Sequence, residues 1–284
     1  MKKKILLISI LLLSVFQFAL AARAGAAKVL RIRDRRGISL ARMIQEIKDA
    51  DVILLGESHT SMADHRAQLA VIKALYASKV TFAIGLEMFR ADSQPELDRW
   101  TAGAMPLEDF VLVYYDNWSA PWTLYSGIFL FARQARIQLV GLNLPSEVSD
   151  KVYSAGFDSL TPAEKKEIPP GITCTADKEY KQFIDDMYRM HHMQAGKTFN
   201  NFCEAQMLWD SVMAWHIVDH LNRAPGMTMV ALAGIAHAWK KGIPAQIRTR
   251  SRYTYVIVLP EAPNGKPDKD ITSADADYIL MDVD

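Results

Sequence analysis

The sequence predicts an α/β fold, in which a mostly parallel sheet carries helices on both faces and helical insertions form a cap. Five short apolar runs rich in β-branched residues predict the strands, because they lack the alternation of a strand with one face in water. Segments with apolar residues at helical spacing separate these runs. Strands that alternate with helices are typical of a parallel sheet with right-handed crossovers.

The five predicted strands are bounded by turn residues or polar breaks. In chain order they are Val52–Leu55, Val80–Leu86, Ile137–Leu142, Thr228–Ala233 and Tyr253–Leu259. Because parallel strands end at the same edge of a sheet, residues that follow these runs are expected to meet there.

The predicted helices fall between the strands. Leu40–Ala50 and Asp64–Ala77 carry apolar stripes on either side of the first strand. Two helical insertions, about residues 95–134 and 145–225, follow the second and third strands. We therefore expect one domain, residues 28–284, whose insertions form the cap.

The second insertion is too long for a plain crossover. Two helical stretches dominate it, about Asp177–Met193 and Asn200–Asn222. The first insertion is rich in aromatic residues. After the last strand, the segment Glu261–Asp270 contains two prolines and five charged residues, and we expect a surface loop there.

Residues 1–24 predict a secretory signal peptide. Lys2–Lys4 precede an almost unbroken apolar run, Ile5–Leu20, and small residues follow. An uncleaved membrane anchor is the alternative, although the run is shorter than the ~20 residues of a spanning helix. We expect the mature chain to begin within Ala22–Ala27 and to be exported, soluble in the periplasm or cell envelope.

The charge balance argues against nucleic acid as a partner. Without residues 1–24, the 33 basic residues become 29 against 32 acidic ones, a net charge of −3, and no basic cluster remains. The chain has two cysteines, Cys174 and Cys203, which in an oxidising compartment form a disulfide or stay as two free thiols. A zinc cluster is excluded because no C-x-x-C spacing is present.

Polar side chains follow four of the predicted strands, and at three of them these are acids or imidazoles. The first strand runs into Gly56-Glu57-Ser58-His59, and the fourth runs into Gly234-Ile235-Ala236-His237. Glu87 follows the second strand and Asn143 the third. Glycine lets the backbone turn sharply at a strand end, so the next side chains point into the crevice at that edge.

Each of these residues alone also has an ordinary structural interpretation. A single Gly-x-x-His is a weak motif, and a histidine at a strand end is commonly a hydrogen-bonded loop residue. A carboxylate such as Glu87 next to a core is costly unless it is paired. Taken together, the four strand ends favour a functional site, and we predict that Glu57, His59, Glu87 and His237 lie in one crevice.

The order of these motifs resembles the ChaN-like haem-binding uptake proteins of the Tiki superfamily, which are distantly related to erythromycin-esterase-like hydrolases. The resemblance covers roughly residues 52–250. It is carried by Gly56–His65, Gly85–Phe89, Trp118–Tyr125, Gly141–Pro145, Ala205–Asp210 with Met213-Ala214, Ala233–His237 and Gly242–Pro244.

The resemblance implies a choice between two functions. ChaN-like proteins are associated with haem binding and iron uptake, as exported proteins that dimerise about the cofactor. Many carry a lipoprotein signal, and this sequence has no cysteine near its cleavage region. The wider superfamily includes metal-dependent peptidases and hydrolases that use two Gly-x-x-His turns and a Glu, which Gly56–His59, Gly234–His237 and Glu87 match.

Elementary chemistry supports both alternatives. His59, His237 and Glu87 could hold a divalent metal such as Mn or Zn, with a carboxylate beside it as general base. Haem requires an apolar slot and an axial Tyr, His or Met. The haem-ligand candidates are aromatic or imidazole residues of the two insertions: Tyr125, Tyr188, His191 and His192.

The sequence therefore favours an exported haem-binding protein in haem or iron uptake or handling. Its expected partners are haem, a second copy of the chain and an envelope iron-uptake protein. The alternative is a metal-dependent hydrolase with Glu57, His59, Glu87 and His237 as catalytic residues. His65, six residues beyond His59 on the next helix, either lines the crevice or is solvated.

Overall fold

The computed structural model describes residues 29–173, 178–190 and 198–281. This part of the chain contains one eight-stranded sheet. Its strands are β1 (Val29–Arg31), β2 (Arg36–Ile38), β3 (Val52–Glu57), β4 (Phe82–Arg90), β5 (Leu139–Asn143), β6 (Thr228–Gly234), β7 (Tyr255–Pro260) and β8 (Tyr278–Leu280). The spatial order is β2-β1-β8-β7-β3-β6-β4-β5.

Ten helices surround the sheet in the described ranges. They are α1 (Leu40–Ile47), α2 (Met62–Ala77), α3 (Gln94–Thr101), α4 (Leu107–Asn117), α5 (Trp122–Ala135), α6 (Ser146–Ala155), α7 (Lys178–Met190), α8 (Phe199–Arg223), α9 (Ile235–Ala238) and α10 (Ile243–Arg250). Short 3-10 turns link several of them. No helix of the described residues is both long and apolar enough to span a bilayer.

The α/β prediction is confirmed, and all five predicted strands form the parallel part of the sheet, β7-β3-β6-β4-β5. Their side chains are almost entirely buried, as expected for strands covered on both faces. Strand β4 continues to Arg90, beyond the predicted end at Leu86, because an irregularity shifts its register and lets Arg90 pair with Asn143.

Three strands were not predicted. β1 pairs antiparallel with β2 and β8, and β8 pairs parallel with β7. Each is only three residues long, too short to show a periodic pattern. Between β7 and β8, the predicted loop Glu261–Asp270 contains two short 3-10 turns.

The two insertions pack on opposite faces of the sheet. Large aromatic residues of α3, α4 and α5, among them Trp100, Phe110 and Phe129, join α1 and α2 against one face. The long helix α8 lies with α10 against the other face. Helices α6 and α7 pack on α8 rather than on the sheet, so the second insertion extends past the edge where the parallel strands end.

The predicted signal peptide lies outside the described residues, as do Cys174, His191 and His192. Cys203 is buried in α8, where burial raises the pKa of its thiol to about 11. The predicted disulfide therefore remains a prediction.

Candidate functional site

Strand register brings the first two predicted turns side by side. Glu57 of β3 is directly opposite Gly234 of β6, and β6 in turn lies beside β4, with Leu86 opposite Leu232. The residues after all three strands therefore emerge at one edge. The prediction of a shared edge assumed that these strands are parallel members of one sheet. The structure confirms this, because β6 pairs in parallel with both β3 and β4.

A cavity of about 660 Å³ opens at this edge. Its lining contains Glu57, His59, Glu87 and His237, so the structure brings the four residues together in one crevice. The volume is within the range of small-molecule sites. The four residues form the floor of the cavity.

Glu57 is the most enclosed acid of the floor. Its Oε1 accepts a hydrogen bond from the hydroxyl of Tyr125 and lies 3.0 Å from Nδ1 of His59. Nε2 of His65 lies 3.5 Å from the other oxygen. His65 is thus buried below the floor, so it neither lines the cavity nor is solvated, and neither of the two alternatives predicted from the sequence is found.

These neighbours keep Glu57 ionised. Burial alone opposes the charged form, but the imidazoles of His59 and His65 outweigh it and lower the pKa of Glu57 to about 2. The pKa of Tyr125 rises far above its usual value, through burial and the adjacent Glu57 charge. Tyr125 is therefore a hydrogen-bond donor that stays protonated.

Glu87 occupies the middle of the floor. One oxygen accepts a 2.5 Å hydrogen bond from the backbone N–H of Gly234. The other lies 3.9 Å from Nε2 of His59 and 3.7 Å from Nε2 of His237. A carboxylate therefore stands between two imidazoles from different strands.

Gly234 makes this close approach possible. A Cβ at this position would lie 2.9 Å from Cε1 of His59 and 3.6 Å from Glu87 Oε2. Because real Cβ contacts do not come so close, the ring of His59 would have to shift from its observed position. The glycine of the second Gly-x-x-His turn is needed for space at the floor.

His237 is held from behind by a buried acid. Its Nδ1 lies 2.7 Å from Oδ1 of Asp210, whose Oδ2 accepts a 2.7 Å hydrogen bond from the hydroxyl of Tyr180. Asp210 lies on α8 and Tyr180 on α7. An Nδ1–H donated to Asp210 directs the Nε2 atom of His237 toward Glu87.

Both histidines of the floor hold protons more strongly than usual. Burial opposes the protonation of His237, but Glu87 and Asp210 outweigh it and raise its pKa to about 9. The pKa of His59 is also raised, because Glu57 and Glu87 outweigh its burial. The side chain of His59 is 40% exposed and faces the cavity, whereas His237 is nearly buried.

Acids and imidazoles thus alternate across the floor. The series is His65, Glu57, His59, Glu87, His237 and Asp210; the hydroxyl of Tyr125 donates to Glu57, and the hydroxyl of Tyr180 donates to Asp210. Each acid of the series has an imidazole beside it, which offsets part of the cost of burying a charge. His59 is the imidazole of the series that faces the cavity, where it can exchange a proton with a ligand.

Asn143 has a structural position beside the floor. Its amide donates to the backbone carbonyl of Glu87 at 2.9 Å, and its side-chain oxygen accepts from the N–H of Leu144. The residue lines the cavity and fixes the backbone that carries Glu87.

The walls of the cavity are aromatic and come from the insertions. Trp118 follows α4 and meets His59 edge-on at 5.0 Å between ring centroids. Tyr153 of α6 and Phe202 of α8 lie together at 5.9 Å, and Trp209 meets His237 edge-on at 6.0 Å. All four line the cavity.

The haem-ligand candidates of the sequence occupy different places. Tyr125 is fully buried below the floor, against Glu57. Tyr188 is partly buried on α7, with its ring 5.2 Å from Phe199 and 5.3 Å from Phe202. His191 and His192 lie beyond the described end of the same helix, outside the described residues.

The predicted divalent-metal site gains no support. His59, His237 and Glu87 do approach one another, but no group of three or more acids, histidines or cysteines among residues 29–173, 178–190 and 198–281 is arranged to hold a metal ion. Their distances are those of hydrogen-bonded or ion-paired side chains.

Several residues of the site were missed at the sequence level, among them Asp210 and Tyr153. Asp210 is an acid inside an otherwise apolar stretch of α8, and that isolation was the available signal. Tyr153 lies in a short helix without any motif, and only the packing of α6 against α8 places it at the cavity.

Comparison with known proteins gives one family. The model of a family described as haem-binding uptake, Tiki superfamily, ChaN, matches residues 43–247, which is most of the chain and includes the whole floor. The search of curated proteins gave no match.

Solved structures give similar folds. The structure of cofacial haem binding to ChaN of Campylobacter jejuni is 24% identical, covers 90% of this chain and 96% of that one, and has a TM-score of 0.71. An erythromycin esterase mutant in its open conformation is 16% identical over 82% of this chain and 76% of that one, with a TM-score of 0.49. The first of these supports the same fold for this chain.

Proposed function

The chain belongs to the ChaN family of haem-binding uptake proteins in the Tiki superfamily, and on that basis we propose that it binds haem in the cavity at the strand ends. The proposed role is haem or iron uptake, or haem handling, in the cell envelope. Export by the signal peptide of residues 1–24 belongs to this proposal.

The observation that carries the proposal is the composition of the cavity. A haem site needs an apolar slot, an axial ligand and polar groups that contact the polar edge of the haem. Here the walls are the rings of Trp118, Tyr153, Phe202 and Trp209, above a polar floor. The residues present therefore fit the cofactor.

The side chains of the second insertion are the proposed source of the axial ligand. Tyr153 lines the cavity and is half-buried, so its oxygen can meet a ligand without unfolding the core. Tyr188 lies behind Phe202, and His191 and His192 follow it in the chain. Tyr125 is better suited to hold Glu57 than to reach a cofactor, since it is fully buried.

Bound haem would supply an iron centre with positions for axial ligation. The chain itself contributes the floor, where His59 presents its imidazole to the cavity between Glu57 and Glu87, and these two acids raise its pKa against the effect of burial. A ring N–H of His59 could donate to an oxygen or nitrogen atom on the facing side of a ligand. The aromatic walls would shield the part of a flat ligand that they contact from water.

A second copy of the chain and an envelope uptake protein are the proposed partners. The cavity is open on one side, so a flat ligand seated in it would leave surface exposed to solvent. A second subunit could cover that surface. Mass measurement with and without haem tests this part of the proposal: an unchanged monomer mass at saturating haem would contradict it.

Haem titration of the exported mature protein tests the main proposal. A saturable Soret shift is expected, and it should change in position or affinity in Tyr153→Phe, Tyr188→Phe or His192→Ala, whichever removes the ligand. Tyr76→Phe is the matched control, because Tyr76 is 45% exposed on α2 and does not line the cavity.

The opposite outcome would assign another function. If wild-type protein shows no saturable Soret shift, and added Mn²⁺ or Zn²⁺ supports hydrolysis that Glu57→Gln abolishes, the haem proposal is wrong and the hydrolase replaces it. Metal analysis of the same sample completes the experiment.

A further inference from the structure

Arg90 differs from every other side chain of the cavity lining. Among the lining residues that the structure describes, it is the only lysine or arginine, whereas Glu57, Glu87, Asp116 and Asp150 are acids. The side chain of Arg90 is 30% exposed, so it is accessible from the cavity.

The backbone of Arg90 is fixed by its neighbours. The β4–β5 register shifts between Leu86 and Arg90, and Arg90 pairs with Asn143 beyond the shift. Gly141 permits this, because a Cβ there would lie 2.3 Å from the carbonyl oxygen of Arg90. The N–H of Arg90 donates to Oδ1 of Asn117 at 3.0 Å.

The guanidinium is held on one side only. Its Nε donates to Asp92 at 3.1 Å, and Nη1 donates to the backbone carbonyl of Asp116 at 2.9 Å. Within the described part of the chain, Nη2 has no hydrogen-bond partner. A planar guanidinium that is anchored at two nitrogens and open at the third is preorganised for an acceptor.

We propose that Arg90 binds a carboxylate of the ligand, which orients that ligand in the cavity. This inference rests on the proposed function, since haem carries two propionates. The propionate end would lie toward Arg90 and away from the acids of the floor, while the ring plane occupies the aromatic walls. The ligand class is thus a flat apolar molecule with a carboxylate at one edge.

The experiment compares haemin with its dimethyl ester, in the same detergent, for wild type, Arg90→Gln, Arg90→Lys and the control Arg36→Gln. Arg36 is 77% exposed and does not line the cavity. Arg90→Gln is expected to weaken haemin about 10- to 100-fold, the factor for a hydrogen bond to a charged group. Its affinity for the ester should match that of wild type. The affinity of Arg90→Lys for haemin should fall between those of wild type and Arg90→Gln, because lysine keeps the positive charge but lacks the forked N–H groups of the guanidinium.

The outcomes are separable. Equal weakening of haemin and ester in Arg90→Gln would mean that Arg90 only supports the fold, and would overturn the inference. Wild type that binds haemin and ester equally, with Arg90→Gln unchanged, would also overturn it. Wild type that binds neither compound would instead contradict the proposed function.

Discussion

The floor and the walls of the cavity are built by different rules. The floor consists of side chains at the ends of β3, β4 and β6, which are buried except for His59 and are paired in an alternating series of acids and imidazoles. The walls are aromatic rings from the insertions, which are partly exposed except for Phe202 and are joined by ring contacts. We therefore expect substitutions in the floor to lower mainly the stability of the fold, and substitutions in the walls to weaken mainly the binding of the ligand.

The largest effect is expected from Asp210→Ala in the floor. This change leaves His237 buried beside Glu87 without the acid at its Nδ1, and breaking a buried pair typically costs about 3–5 kcal/mol of the free energy of unfolding. Denaturant unfolding measures it. The double variant Asp210→Ala/His237→Leu should recover part of the loss; no recovery would show that the two residues are not coupled.

Tyr125→Phe should have the next largest effect. It removes the hydroxyl that donates to Glu57 and leaves a buried carboxylate oxygen with fewer donors, at a cost of about 1–3 kcal/mol in unfolding free energy. Tyr253→Phe is the matched control, because its hydroxyl donates to Asn222 at an exposed position. Equal losses in the two variants would contradict a special role for Tyr125.

The floor should also give stability a pH optimum. Glu57, with a pKa lowered to about 2, contributes stability above its unfolded pKa near 4.3 and loses it as the pH falls toward 2. His237, with a pKa raised to about 9, contributes stability below its unfolded pKa near 6.5 and loses it as the pH rises through 9. The slope should reach about 1.4 kcal/mol per pH unit for each group.

Unfolding curves at several pH values measure these slopes. Glu57→Gln should reduce the slope of stability against pH on the acid side, and His237→Gln should reduce it on the alkaline side, each without affecting the other. An acid slope that persists unchanged in Glu57→Gln would assign it to other carboxylates.

The smallest effect on stability is expected in the wall. Trp118→Leu keeps an apolar side chain and removes the edge contact to His59, so the unfolding free energy should fall by about 1 kcal/mol. Haem affinity should fall about tenfold, since a ring that covers the ligand is lost. If Trp118→Leu lowered the unfolding free energy by more than Tyr125→Phe does, the proposed difference between walls and floor would be wrong.

The floor could be predicted from the sequence because it follows from strand ends. Glu57, Glu87 and His237 come shortly after apolar runs, and parallel strands bring such positions to one edge of the sheet independently of the loop conformations. The pairing itself was not predictable: it depends on β6 lying between β3 and β4, which is a matter of sheet order.

The walls could not be predicted in the same way. Tyr153 and Trp209 reach the cavity because α6 packs on α8 and α8 packs on the sheet, and neither contact leaves a local pattern. Tyr125 is a different case: the sequence named it as a haem-ligand candidate, and in the structure its hydroxyl donates to Glu57. The strands β1, β2 and β8 were not predicted because three residues are too few to show a periodic pattern.

The bond from Gly234 to Glu87 joins residues 147 positions apart. Strand β6, which supplies that N–H, is inserted between two strands that precede it in the chain by more than a hundred residues. A chain emerging from its amino end therefore has both glutamates long before it has the strand that unites them, and such distant contacts form late. The cavity exists only in the completed sheet, so an incompletely folded chain lacks the proposed site, and ligand binding would report that folding has finished.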